Sequence, residues 1–285
     1  MRAALGVVMV VALAGVVSCG TATPGPGGTP GPGASVSTSQ PASRQESVSP
    51  SASGGGHAPS ALDDLAPFFA AAQAVDQRLS AAAAVVDRHI GTTMLTVDPS
   101  VRDAAAAADP GVAARAVPAG LPPDLLQPVL LVYSDLFSRY SALDGFVNTL
   151  ADTGPRVDVP VTDPAAAEAL DCLHHGAPAA AQFAADMAAA RAEAAQSPPV
   201  VPAAKGSRAA ADLAILLRYV QGWNTCCGGC GGWRLTSLPA ITWYPSRAPV
   251  GGSYGDLADG IIGDGPEFLA TYTSGTGWTV VLYAG

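Results

Sequence analysis

The feature that most constrains this chain is a series of apolar residues at helical spacing that occupies residues 61–221 and stops abruptly at Gly222. Leu65, Phe68, Ala72, Val75, Leu79, Ala82, Val86 and Ile90 recur at steps of three and four. That spacing puts them on one face of a helix, which Gly91 is expected to end. Ser60 followed by Asp63 reads as a capping-box start, with Pro67 in the first turns. Asp98-Pro99, Asp109-Pro110 and Asp163-Pro164 each read as an N-cap with proline at the first helical position. A long helix is expected after Pro122-Pro123, with Leu126, Val129, Leu130, Tyr133, Leu136, Phe137, Tyr140, Leu143, Val147 and Leu150 on its apolar face. The helix opened at Asp163 runs through Cys172 to a break at Gly176 and Pro178, then resumes through Phe183 and Met187 to about Gln196. A last helix carries Leu213, Leu216, Leu217 and Val220. About 160 residues of this kind can bury a core, and antiparallel packing into a helical bundle follows.

From Gly222 to the end, Gly, Trp, Thr and Tyr dominate and the helical period vanishes. Ile241–Tyr244 reads as a strand. Ile261-Ile262 and Phe268–Tyr272 read as a hairpin around Asp264-Gly265, and Trp278–Tyr283 as the next strand. Trp278, Val280 and Leu282 would share one face. The expected fold class is mainly α, a helical bundle followed by a small C-terminal antiparallel β-sheet (α+β overall), with the sheet packed on the bundle.

The N-terminus carries an address. Arg2 supplies a positive start, Ala3–Val17 an uncharged apolar run too short to span a bilayer, and Val16-Val17-Ser18-Cys19 a candidate processing site. This pattern resembles the lipobox of bacterial lipoproteins. The helix spacing, proline caps and Cys-Cys-x-x-Cys junction likewise resemble lipoproteins of actinomycete type. The resemblance implies a signal peptide at 1–18, a lipid on Cys19, and residence on the extracytoplasmic face of the cell membrane. Residues 19–60 are almost wholly Gly, Pro, Ser, Thr and Ala. Such a segment cannot bury enough apolar surface to order itself, and reads as a tether with a mean reach of roughly 35 Å. The domains expected are therefore 1–18, 19–60, a bundle over 61–221, and a Cys/Gly-rich junction with a sheet over 222–285.

Four cysteines remain: Cys172, Cys226, Cys227 and Cys230. In an exported protein, an even number points to two disulfides. Adjacent Cys226 and Cys227 are too close to pair without strain. Cys172 would then bond Cys226 or Cys227, with Cys230 taking the other. The bridge to Cys172 would close about 55 residues, an effect of roughly 4 kcal/mol. Two sharper alternatives use the same atoms. Cys172, His174, Cys227 and Cys230, with His175 adjacent, could offer a zinc ligand set. Cys227-x-x-Cys230 has redox spacing, but lacks the helix N-terminus that would lower a thiol pKa.

Other chemistry is sparse. The formal net charge is −9, with Lys205 the only lysine, so no basic face is available for nucleic acid. Gly251-Gly252-Ser253-Tyr254-Gly255 matches G-x-S-x-G, but all four histidines precede Ser253 and a poor helix former follows. A Gly-rich turn is the expectation there. His89 is expected to cap the C-terminus of its helix. Trp223, Trp233, Trp243 and Trp278 are expected mainly in the core of the sheet, with an open platform for glycan or peptide as the alternative. No cofactor is implied. The reading is a non-catalytic binding or structural module of the envelope, its partner an envelope protein or a glycan. The alternative is a metal-binding or thiol-dependent enzyme using His174, His175 and the four cysteines.

Overall fold

The computed structural model describes residues 59–150, 156–223, 234–247, 252–258 and 266–283. All of these belong to one compact unit, Pro59–Gly285. The signal segment, Cys19, the Cys226/Cys227/Cys230 cluster, Trp233 and the Ile261–Gly265 turn region lie outside the described residues.

The architecture is mainly helical with a small antiparallel sheet, as the pattern predicts. The helices are α1 (Ala61–Asp64), α2 (Ala66–Asp87), α3 (Pro99–Ala107), α4 (Gly111–Arg115), α5 (Pro123–Leu150), α6 (Pro164–His175), α7 (Ala177–Gln196) and α8 (Arg208–Trp223). The strands are β1 (Met94–Val97), β2 (Val157–Pro160), β3 (Ala240–Trp243), β4 (Ser253–Ala258), β5 (Glu267–Thr273) and β6 (Gly277–Tyr283). The first helix starts at Ala61, directly after the expected cap Ser60. Ser60 is buried, and its backbone N–H donates to the Asp63 carboxylate at 3.3 Å.

Helix starts follow the Asp-Pro signals closely. Asp98 accepts from the N–H groups of Ser100 and Val101, and Asp163 from that of Ala165. At Asp109-Pro110 the start is displaced by one residue. Pro110 is the N-cap, and the Asp109 carboxylate accepts from Gly111 N–H at 2.9 Å. Leu65 separates α1 from α2 because Pro67 has no N–H to reach the Asp63 carbonyl. The expected stripe from Leu65 to Val86 is buried throughout. Its last member departs from the expectation. The helix ends at Asp87, and Ile90 instead forms a β-bridge to Leu95.

That bridge belongs to a ribbon with no counterpart in the sequence reading. β1 pairs antiparallel with β2, Leu95 opposite Val159 and Val97 opposite Val157. Leu95 and Val97 are fully buried beneath it. The 28-residue α5 forms the bundle's spine, packing on α2, α6, α7 and α8. Gly176 separates α6 from α7 where the chain crosses α5. A Cβ there would lie 2.8 Å from the Ala142 Cβ, so only glycine permits the approach.

The second sheet has strand order β3-β4-β5-β6, all antiparallel. β4 is not expected from the sequence: residues 251–255 read as a Gly-rich turn and residues 256–260 as a poor helix former, with no strand assigned. Its register explains the glycine. Gly255 lies opposite both Trp243 and Phe268. A Cβ at Gly255 would lie 2.1 Å from the Thr242 carbonyl oxygen and 2.5 Å from the Phe268 ring. The aromatic side chain thus fills the space glycine leaves, a familiar device for keeping glycine inside a sheet. Leu257, Phe268 and Ala270 are fully buried on the face shared with Trp278, Val280 and Leu282. This face packs against α8. No helix among the described residues is long and apolar enough to cross a membrane.

Candidate functional site

The strongest constellation lies where α8 begins and the inner face of the sheet ends. The alternation of β-strands brings Trp243 from β3, Ser253 from β4 and Trp278 from β6 to the face that meets α8. Gly206, Arg208 and Ala211 approach from the helix side. Together with Pro245 they line an open cleft of about 390 Å³.

Its charged member is held firmly. The Arg208 guanidinium lies over the Trp243 ring, 3.8 Å from the centroid. Arg208 Nε donates to Asp212 Oδ1 at 3.1 Å, and Trp243 Nε1 donates to the same oxygen at 3.0 Å. One carboxylate, a helical turn after Arg208, therefore fixes both the guanidinium and the indole. Trp243 also meets Phe268 edge-on, at 4.9 Å and 80°. The Arg208 side chain is still 58% exposed, and its terminal nitrogens take no partner among the described residues. On the opposite wall, Trp278 Nε1 is shielded from solvent with no acceptor among the described residues. Tyr272 packs on Trp278 with centroids 5.4 Å apart, and Gly206 approaches the Tyr272 ring to the distance a glycine allows.

A second polar cluster sits in the interior. Asp135 on α5 is fully buried. Arg234 donates to it through Nε at 3.0 Å and reaches Asp186 of α7 through Nη2. Gln182 Nε2 donates to the other Asp186 oxygen at 3.1 Å. Burial pushes the Asp135 carboxyl up to about 8, against the opposing pull of Arg234, and the nearby Asp186 raises it further. The cluster fastens the segment leading into the sheet to two helices of the bundle. Its Asp135 end is fully enclosed, whereas Arg234 and Asp186 each keep a small exposed part. A third feature, a groove of about 410 Å³ between α2, α5 and the α6–α7 junction, is lined largely by Leu, Val and Ala. Its one cation, Arg139, is engaged by Asp76 and by Ser80 Oγ.

The residues singled out from sequence fare differently. His89 sits just past the end of α2, with Nδ1 2.8 Å from the Val85 carbonyl and Nε2 3.3 Å from Asp98. It links the end of α2 to the cap of α3, a positioning contact. Cys172 is buried in α6, and Cys226, Cys227 and Cys230, its expected partners, lie outside the described residues. His174 and His175 end α6, with His175 Nε2 3.8 Å from Asp171. Among the described residues no group of three or more His, Cys, Asp or Glu is placed to hold a metal ion. Ser253 begins a central strand, without the strand-to-helix turn that a nucleophile elbow requires. Trp223, Trp243 and Trp278 are neither fully core nor an open platform. Each packs on the core with one part and keeps another part accessible.

The sequence reading missed Arg208, Asp212, Asp135, Asp186 and Arg234. Arg208 and Asp212 carried a weak signal, an i,i+4 pair of opposite charge at the start of a helix. Asp135 carried one too, a carboxylate amid the apolar run of α5. No family model, curated protein or solved structure is detectably similar to this chain.

Proposed function

We propose that this protein is a lipid-anchored, extracytoplasmic binding module of a bacterial cell envelope. Cys19 carries the lipid, residues 20 to about 60 act as the tether, and the folded unit that follows carries the ligand site. The observation that carries the binding reading is the cleft between α8 and the sheet. There a guanidinium is fixed by Asp212 over the Trp243 ring while its terminal nitrogens take no partner among the described residues, and Trp278 lines the same cleft. Donors held in place before any ligand arrives reduce the ordering cost of binding. The cleft's size falls at the lower end of small-molecule sites. The lipid anchor rests on the lipobox resemblance and on the tether composition.

The anchor is tested by expressing the full chain in a bacterial host fed an alkyne-tagged fatty acid. Wild type should incorporate the tag and sediment with membranes, and Cys19→Ala should do neither. Tag incorporation unchanged in Cys19→Ala would refute the anchor. The site is tested with the purified full chain in detergent, titrating envelope glycan fragments while following tryptophan fluorescence. Saturable changes should disappear in Trp278→Phe.

A further inference from the structure

Resting on that reading of the cleft, we propose that its ligand is a carboxylate-bearing saccharide, with the acid on Arg208 and a sugar ring against the Trp278 indole. The chemistry of the lining is one-sided. Its only charged side chain is Arg208, whose terminal nitrogens donate, and the hydroxyl-bearing Ser253 and Tyr254 are its neutral polar residues. Asp212 does not line the cleft. It stands behind the guanidinium on Nε, leaving the outer edge of the fork for a second partner. A planar fork with its Nε side already occupied still presents two parallel N–H groups at its end, the geometry a carboxylate accepts. A neutral alcohol would use those donors less well, and a cationic ligand would be repelled.

The rest of the lining selects the body of the ligand. Trp278 and Pro245 give apolar walls beside the guanidinium, and Trp243 backs it, its ring covered by the guanidinium. Sugar rings present C–H faces to such surfaces while their hydroxyls and acetamido oxygens accept hydrogen bonds. An extended peptide fits less well. Peptide recognition by strand addition uses a sheet edge, whereas the cleft opens at the end of the sheet's inner face, with the central β4 contributing Ser253.

A matched pair of probes tests this on the full chain in detergent. N-acetylmuramic acid and N-acetylglucosamine differ by one lactyl ether that carries a carboxylate. The protein is labelled with 15N-tryptophan, and the Trp278 indole resonance is assigned by its loss in Trp278→Phe. The acid should shift that resonance and bind at least about tenfold more tightly than the neutral sugar, the discrimination one charge-assisted contact supplies. Arg208→Gln should abolish the preference, Arg208→Lys should keep part of it, and added salt should narrow it. Equal binding of the two sugars at Trp278 would overturn the acid specificity while leaving the cleft a glycan site. Binding of a tripeptide with a free C-terminal carboxylate, with neither sugar bound, would overturn the saccharide assignment. A Trp278 signal unmoved by every probe would overturn both this inference and the reading of the cleft as a ligand site.

Discussion

Replacing Asp135 by asparagine should change how stability depends on pH far more than it changes stability near neutrality. The carboxyl lies fully buried on α5, and burial raises it from 3.8 to about 8 in the native state. Between those values the folded protein retains a proton that the unfolded chain releases. Stability from this group is therefore complete below about pH 4 and declines as pH rises through the folded value. The slope of one retained proton is about 1.4 kcal/mol per pH unit. From roughly pH 5.5 to 7.5 the wild type should thus lose about 2–2.5 kcal/mol through Asp135. Asparagine preserves shape and a neutral polar group, so Asp135→Asn should remove that slope. Urea unfolding followed by far-UV circular dichroism at the two pH values gives both numbers. Asp144, whose carboxyl is also raised by burial, remains in both proteins and cancels in the difference. Equal pH slopes in wild type and Asp135→Asn would refute the reasoning. Arg234→Ala provides the contrast. It removes the guanidinium that joins Asp135 to Asp186, and should cost about 1.5–3 kcal/mol near neutral pH through the lost charge-assisted hydrogen bonds.

Other positions give equally direct expectations. Gly255→Ala should destabilise by about 1–3 kcal/mol or prevent folding, since its Cβ meets the Thr242 carbonyl and the Phe268 ring. Gly275→Ala, with nothing within 4 Å, should leave the melting temperature unchanged. Phe268→Ala should cost about 3–5 kcal/mol by emptying the space between the sheet and α8, read from chemical denaturation. Asp98→Ala should lower the melting temperature by removing the cap of α3 and the contact to His89. The Asp98 carboxyl is held down to about 2, first by the Ser100 hydroxyl and also by the Val101 N–H and His89. Its contribution should be present above about pH 4 and fade toward pH 2, so the mutational effect should shrink in acid.

The sequence by itself determined the helices, because their signals are local. An Asp-Pro pair fixes a start within a residue, as Asp98 and Asp163 do through their own side chains. A three-four apolar repeat fixes a face, as from Leu65 to Val86. The shift of composition at Gly222 likewise marked where helix gives way to sheet. Only the tertiary structure decided what depends on distant partners. The β1–β2 ribbon joins segments about sixty residues apart, each too short to carry a strand signal alone. Gly255 reads locally as a turn and becomes part of a central strand because it pairs with Trp243 and Phe268 on either side and the Phe268 ring closes over it. The candidate site is of the same kind. Arg208, Asp212, Trp243 and Trp278 are spread over seventy residues, and no spacing among them announces a cleft. Asp135 looks like an ordinary helix carboxylate until Arg234, ninety-nine positions later, is folded against it. Local backbone preferences are written in neighbouring residues, whereas burial, charge pairing and the shape of a cleft arise only once remote side chains share the same space.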